Sequence, residues 1–494
     1  MFPSTNFTPV TRMPGRRHAA SLLLPAIRSG IAAALLLAGC ATTVPDLTPG
    51  GPAVPVATQW HAPLPHGGQL AELSQWWAQF DDPLLLRLIE AGQQVSPTLA
   101  QASARIADAR AAVVVQSAAL MPSLEASVVA SRGGPELGMP LGTASSAGLL
   151  LGWDLDLFGA GRAAADAAQA RLESSQAGWH EARVVVAAEV ATTYVELRAC
   201  EARVGQSESD AQSRARTAQI TRLAANAGFQ PPAATDLANA SAAQGKLILI
   251  RQRMQCDLLI KALSALTAED ETALRRDLAS ASGLLPRPAE LAIRALPAEL
   301  LAQRADIYAA ARDVIAASAD ADQAQAQRWP RIALAGNIGT SRIDNMGVST
   351  NGTVWSIGPV TVTLPLFDGG ARRANAEAAR IRYASATTVY LAHLREAIRE
   401  VEIALVTLDS TAQRSPDAVN ASSGFKRSYL ATEAGYRAGT ASLFELEDAR
   451  RSLLVAQVAE IELQRERVTA WIALYRAVGG GWSATPAPDA AARS

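Results

Sequence analysis

The chain has 494 residues, more than one ordinary hydrophobic core accommodates, so several domains or a long repetitive architecture is expected. Its net charge of −1 removes the electrostatic case for nucleic-acid binding, and Ala-rich stretches with only 5% aromatic residues favour helices with small contact side chains. Three cysteines make no disulfide framework, and the five histidines lack HxxxH or CxxC spacing, so no metal site is expected.

Residues 1–39 read as a removable secretory signal: Arg12, Arg16, Arg17 and Arg28 precede the apolar run Ile31–Ala38. That run is far short of the ~20 apolar residues a membrane-spanning helix needs. Met13 is an alternative start that keeps the basic region, and Gly15-Arg16-Arg17-His18 lacks the apolar residues a twin-arginine signal has after its arginines. Leu37-Ala38-Gly39-Cys40 resembles the lipobox of bacterial lipoproteins, which implies cleavage before Cys40 and its acylation. Ala41 in place of an aspartate implies transfer to the outer membrane in bacteria that use that retention signal.

Residues 40–68, rich in Pro, Gly and Thr, are expected to form an extended tether. Beyond it, prolines are missing between Pro140 and Pro231, between Pro232 and Pro286, and between Pro365 and Pro416, which permits very long helices. The run from Gly159 to about Gly228 has room for a helix of ~100 Å. In it Leu172, Trp179 and Val186, then Val190, Leu197 and Val204, recur at the seven-residue step of a coiled-coil seam. Leu454, Ile461, Val468 and Tyr475 form such a row near the end of the chain.

Four strands are expected, near 123–132, 145–157, 331–342 and 353–365. In the second, Ala147, Leu149, Leu151, Trp153, Leu155 and Leu157 alternate with Gly148, Leu150, Gly152, Asp154 and Asp156. One face is apolar throughout and the other turns acidic, as in a strand between lipid and lumen. Ile332, Leu334, Gly336 and Ile338 make a second such set, and Val354, Ser356, Gly358, Val360, Val362 and Leu364 a weaker third. A soluble sheet with one buried face has the same pattern. An open sheet in lipid leaves backbone groups unsatisfied and single-chain bacterial barrels need at least ~8 strands, so four strands fit only a barrel shared between chains. The Gly-, Ser-, Thr- and Asn-rich stretches 133–144 and 343–352 are then the extracellular loops.

The same signals come twice. Met121-Pro122 and Trp329-Pro330 lead into strands, and Leu157-Phe158 and Leu366-Phe367 close strand pairs before Gly159-Ala160-Gly161-Arg162 and Asp368-Gly369-Gly370-Ala371 open Ala-rich helices. Phe158 and Phe367, Asp236 and Glu445, and Ala240 and Ala449 share an offset of 209. The expected organisation is a first repeat over 69–297 with a helical hairpin at 159–278, a second repeat over 298–478, and a flexible tail over 479–494.

This layout resembles the TolC-like outer membrane efflux protein family, in its lipoprotein branch paired with resistance-nodulation-division (RND) pumps, from about residue 70 to 478. Trp76-Trp77 with Phe80-Asp81-Asp82-Pro83-Leu84 is similar to the family's N-terminal motif. Leu296-Pro297-Ala298-Glu299-Leu300-Leu301 and Arg304-Ala305-Asp306-Ile307 are similar to its Leu-Pro…Leu-Leu…Arg-Pro-Asp-Ile signature, with alanine for proline at 305. The resemblance implies an α+β membrane protein: a homotrimer with a twelve-stranded β-barrel, four strands per chain, continued by a long periplasmic α-helical barrel. Shorter elements near 70–92, 270–297 and 410–435 would form a belt. It further implies a passive exit duct for small molecules, fed by an inner-membrane RND pump through a periplasmic membrane-fusion adaptor, with outer membrane lipid around the barrel and no cofactor.

For the periplasmic entrance, Tyr436, Gly439-Thr440, Glu445 and Asp448 match the family's pattern, and Thr235-Asp236 is similar to the Thr-Asp of its neighbouring hairpin. The expectation is a Tyr436–Asp236 bond across neighbouring hairpins, with Glu445 and Asp448 repeated threefold as acidic rings that disfavour anions. Ordinary solvated helix charges are the plainer reading. Ala441 stands where the family has a latch arginine, so that latch is absent. Cys200 and Cys256 lie at similar distances from the turn near 230; an oxidising periplasm permits a disulfide, but buried free thiols are expected. Competing functions are a duct for type I protein secretion and a non-channel structural lipoprotein. An enzyme is not expected, because GxSxG, a paired-His helix and a phosphate loop are all missing, and His180 and His393 fall on helices as ordinary residues.

Overall fold

The computed structural model describes residues 73–133, 141–286, 304–345, 347–480 and Trp482. The signal 1–39, Cys40, the tether 40–68, Leu296–Leu301 and nearly all of the tail lie outside the described residues.

A 3₁₀ helix over Leu73–Phe80 leads into α1 (Pro83–Val95) and α2 (Pro97–Ala118). The strands β1 (Ser123–Gly133) and β2 (Gly142–Leu155) precede α3 (Ala160–Asn226), α4 (Pro232–Thr267) and α5 (Glu271–Ala279). Then come α6 (Ala305–Ala326), β3 (Arg331–Asn345), β4 (Val348–Thr363), α7 (Ala371–Ala438) and α8 (Leu443–Ala477). α3 forms where prolines are missing, whereas α7 has Pro416 inside it; they have 67 and 68 residues, each ~100 Å at the α-helical rise. Their shorter partners α4 and α8 have 36 and 35.

Two expectations about α7 and the cysteines are corrected. Segment 410–435 is not a set of short belt elements; α7 runs unbroken through Pro416. A proline inside a helix loses one backbone hydrogen bond, here to the Ala412 carbonyl, and α7 absorbs that loss while packed along α8. Cys200 and Cys256 are not free thiols but a disulfide, because α3 and α4 pack with these two Cα atoms 5.6 Å apart, inside the bonding range.

The helices form two tiers. Nearest the strands they lie side by side in the order α2, α3, α6, α7; farther away the order is α4, α3, α8, α7. Between the tiers sits the main apolar core. It draws Trp76 and Phe80 from the 3₁₀ helix, Leu85 and Leu88 from α1, Val190 and Leu197 from α3, Leu405 from α7 and Trp471 from α8. The Trp-Trp motif serves this collar: Trp76 meets the rings of Trp471 and Tyr475 at 5.9 and 5.7 Å. Asp82 caps α1 by accepting from the Leu84 and Leu85 N–H groups, and it accepts the Tyr194 hydroxyl at 2.6 Å. Burial, then this bond to Asp82, pushes the Tyr194 hydroxyl pKa up, so it stays protonated and donating. Arg304 of the signature fastens the start of α6 to the collar, donating to Asp306, to Glu400 at 2.8 Å and to the Ala477 carbonyl at 2.7 Å.

The strands form one antiparallel sheet in the order β1-β2-β3-β4. They run farther than their composition suggested. Ser, Thr and Asn continue the ladder up to Gly142 and Asn345, so the connections are shorter than 133–144 and 343–352. The register of β3 and β4 also shifts: Leu334 pairs with Val360, but Gly336 pairs with Ile357. Gly358 and Pro359 together oppose Ala335, a bulge at a proline that has no N–H to give the ladder.

Candidate functional site: the sheet faces and the distal helical tip

The paired register decides which side chains share a face of the sheet. Leu124, Ala126 and Val128 of β1 lie beside Leu151, Leu149 and Ala147 of β2. Leu149, Trp153 and Leu155 lie beside Ile338, Leu334 and Ile332 of β3. On β4 the expected alternate set is broken by the bulge. Val360 and Val362 belong to this face, but beyond Pro359 it continues through Ile357 and Trp355, not Ser356 and Val354. The correction makes the face more apolar than the sequence reading did. Much of this face is open among the described residues: Val128, Trp355 and Ile357 are 82%, 68% and 85% exposed. From Ala147 to Leu155 the band is roughly nine residues long, enough for a tilted strand to cross bilayer hydrocarbon.

The opposite face is more polar, with small residues and polar groups interrupted by Val129, Leu150, Ile343 and Val354. Asn337 donates to Ser356 across the strands at 3.0 Å, and Arg331 pairs with Asp154 near the helical end. Gly148 and Gly339 sit directly opposite each other on it. A Cβ on Gly339 would stand 2.5 Å from the Ala147 carbonyl oxygen, so these strands approach more closely than any side chain allows. Beyond the apolar band, Arg342, Asp344 and Ser349 form a hydrogen-bonded polar group at the far end of the sheet. Among the described residues no helix is long and apolar enough to cross a membrane.

At the other end of the molecule the two helical hairpins meet, and the residues singled out from sequence take local roles. Tyr436 does not bond Asp236. Its hydroxyl lies 2.8 Å from Thr221 Oγ1 on α3, and since Thr221 gives its own hydrogen to the Thr217 carbonyl, the tyrosine donates. The reason is helical phase. The buried side of α4 carries Ala238, Ser241 and Gly245, and Asp236, two residues before Ala238, is turned ~200° away and exposed. Thr235 is half-buried, its hydroxyl out of water without a partner. Glu445 closes a capping box: its Oε2 accepts the Ser442 N–H at 2.6 Å, and its own N–H donates to Ser442 Oγ at 3.2 Å. The Ser442 N–H, then the Ser442 hydroxyl, holds the Glu445 carboxyl below the usual carboxylate range. Asp448 is exposed one turn along, 3.7 Å from Arg451.

The largest feature of this tip escaped the sequence reading. Arg214 of α3 donates to Asp210 at 2.7 Å, to Ser241 of α4 at 2.8 Å and to Glu447 of α8 at 3.3 Å. Ser241 also donates to Glu447, at 2.7 Å. Arg450 of α8 pairs with Glu447 and donates to Ser213 and Thr217 of α3 at 3.1 and 2.9 Å. Ser213 donates in turn to Tyr429 of α7 at 2.7 Å, while the tyrosine hydroxyl donates to Glu433. All four helices are thus joined through polar side chains, and Asp210, Arg214 and Arg450 are 8%, 9% and 3% exposed. Gly245 makes room: a Cβ there would stand 2.8 Å from Arg214 Cδ. A signal existed in the spacing. Cys200, Ser207, Arg214 and Thr221 are buried at seven-residue steps, a coiled-coil row continued in polar residues.

The family described as outer membrane efflux protein matches residues 88–269 and 296–480. Outer membrane protein OprJ of Pseudomonas aeruginosa is 30% identical over 441 residues, covering 87% of this chain and 91% of OprJ. The solvent efflux pump outer membrane protein SrpC of Pseudomonas putida is 27% identical, covering 91% of this chain and 97% of SrpC. Among solved structures, the outer-membrane channel OprN superposes with a TM-score of 0.78 at 26% identity, covering 88% of this chain and 99% of OprN. An apolar face bare to its surroundings, a polar face behind it and helices of ~100 Å leading away describe a protein seated in one membrane and reaching far from it. The chain belongs to the outer membrane efflux protein family, and is an outer membrane channel protein with a periplasmic helical part.

Proposed function

We propose that three copies of the chain close head to tail into one passive duct, through which small molecules leave the periplasm. The observation that carries this is a pair of open flanks running through every layer. β1 and β4 are the edges of the sheet, α2 and α7 of the upper tier, α4 and α7 of the lower. In lipid, each unsatisfied backbone group of an open edge costs several kcal/mol, and four strands do not close alone. Twelve do, if β1 of each copy pairs with β4 of the next. The helical flanks fit the same operation: α4 carries an uncovered row of Leu247, Ile250, Met254 and Leu258, and α7 carries uncovered Ile403 and Val406. A heterologous contact of this kind makes a ring when the rotation closes.

The cargo is a class of small molecules supplied by an inner-membrane RND pump through a periplasmic adaptor. SrpC is named for a solvent efflux pump, and OpmQ of P. putida, 29% identical, for pyoverdine export. Phe229 and Phe444, at the two hairpin turns, are 82% and 72% exposed, and they offer the adaptor apolar contacts. Acylated Cys40 anchors each chain in the lipid. Glu445 and Asp448, exposed one turn apart at the start of α8, repeat threefold around the entrance and disfavour anions. The chain needs no cofactor and catalyses no reaction; it is a conduit.

Purified full-length protein in mild detergent is expected to run as a heat-modifiable trimer and to give stepwise, cation-preferring conductance in planar bilayers. Material that stays monomeric ends the duct reading. Conductance whose cation preference survives Glu445→Gln with Asp448→Asn ends the ring assignment alone.

A further inference from the structure

On the apolar face of the sheet the paired register sorts side chains into rows that climb away from the helices. The row Ala126, Leu149, Ile338 and Trp355 is apolar throughout. Thr340 and Thr353 bring hydroxyls to the next. Then comes a row with Arg342 beside Ser145 and Asn351, and after it one with Arg132, Thr143, Asp344 and Ser349. Among the described strand residues of this face, charge occurs only at Arg132, Arg342 and Asp344, all at the far end.

The helical part is periplasmic, so that end of the face meets the outer leaflet where hydrocarbon gives way to headgroups. A tryptophan on the last apolar row, with guanidinium groups two and three rows farther out, has the order of an interfacial anchor. The ring sits at the boundary and the cations reach beyond it.

We propose that Arg132 and Arg342 form a headgroup site for an outer-leaflet glycolipid whose disaccharide carries a phosphate at each end. The site rests on the seat of the sheet in the membrane and not on the duct reading.

Spacing, charge and orientation support it. Arg132 and Arg342 are two strands and one row apart, ~12 Å between Cα atoms at ordinary strand spacing and rise. Each therefore takes one phosphate while the sugars span the strand between them. Arg342 is held in place: its Nε donates to Asp344 at 3.0 Å and its Nη2 to Ser349 at 3.4 Å. Nη1 is left for an outside acceptor. The Ser349 hydroxyl also donates to Asp344, so that carboxylate is occupied inside the cluster. Arg132 is exposed and pairs with no described residue, which leaves two guanidinium groups against one carboxylate and the site cationic. Guanidinium groups are matched to phosphate in geometry as well as charge. Thr143, Ser145 and Asn351 on the same rows offer hydroxyl and amide groups to the sugar. A phospholipid with one phosphate satisfies one arginine; a bisphosphorylated headgroup satisfies both.

The test titrates full-length protein, purified in mild detergent, with bisphosphorylated lipid A, monophosphorylated lipid A and phosphatidylglycerol, and counts bound lipid by native mass spectrometry. Wild type is expected to hold the bisphosphorylated lipid about tenfold more tightly than either of the others, and Arg132→Gln with Arg342→Gln to lose that margin. Arg331→Gln, on the opposite face, is expected to bind as wild type does. A double variant that binds as tightly as wild type overturns the site, as does an equal loss in Arg331→Gln. Equal affinity of wild type for all three lipids overturns the assignment to a bisphosphorylated headgroup. A second readout is thermal: the bisphosphorylated lipid is expected to raise the Tm of wild type and not that of the double variant, and an equal rise in both overturns the site. If the double variant does not assemble, Arg132→Gln alone carries the test, with several-fold weaker binding expected and unchanged binding overturning the proposal.

Discussion

The collar and the distal seam are built by the same four helices and differ in what those helices place between them. In the collar, Val190, Leu197, Leu405 and Trp471 pack together in one apolar cluster, with hydrogen bonds such as Tyr194 to Asp82 inside it. In the seam, Thr217, Ser241, Asp210, Arg214 and Arg450 are buried as well. The two regions therefore differ in the chemistry of their buried groups and not in whether those groups are buried.

The difference is open to attack, first in the collar. Trp471→Ala removes a fully buried ring from a site that cannot collapse onto the neighbouring helices, at a cost of about 3–5 kcal/mol. Thermal unfolding of the detergent-purified protein is expected to fall by several degrees; an unchanged Tm would mean the collar is not the stabilising unit. Next in size is the tie between α3 and α4. Cys200→Ser with Cys256→Ser is expected to cost about 2–4 kcal/mol, and thiol titration of unreduced wild type should find both cysteines unreactive. In the seam the effects are smaller. Ser442→Ala removes one side of the capping box, worth about 1 kcal/mol. Tyr436→Phe deletes the bond to Thr221 at about 0.5–1.5 kcal/mol, and is expected to show more in channel openings than in Tm.

The smallest effect has a defined pH dependence. Because the Ser442 N–H depresses the Glu445 carboxyl, that group's contribution to stability is complete above the ordinary carboxylate pKa of about 4.3. It is lost as pH falls through the depressed value. Glu445→Ala should thus be less stable than wild type at neutral pH and indistinguishable from it in strong acid. A difference that persists in acid would assign the effect to something other than the cap.

How much was legible depended on the kind of signal. Strands and long helices follow from local pattern: alternation over Ala147–Leu155, and prolines missing from the stretches that became α3 and α4. Where one residue carried the inference, packing overrode it. Pro416 looked like an end and is an interior position, because α7 is held along α8 on both sides of it. Val354 and Ser356 looked like the lipid side of β4, and a bulge two residues away moved that role to Trp355 and Ile357. The seam went unread for a simpler reason: a search for buried rows follows apolar residues, and here the row is Ser207, Arg214 and Thr221.

What the sequence determined unaided was strands of lipid-crossing length and a helix of ~100 Å, since periodicity and proline placement act on the backbone within a few residues. Tertiary structure alone decided that Cys200 reaches Cys256, that Tyr436 finds Thr221 and that Arg214 and Arg450 share Glu447. Each of those depends on the phase of one helix against another and on spacings of a few ångströms, quantities that no local pattern encodes.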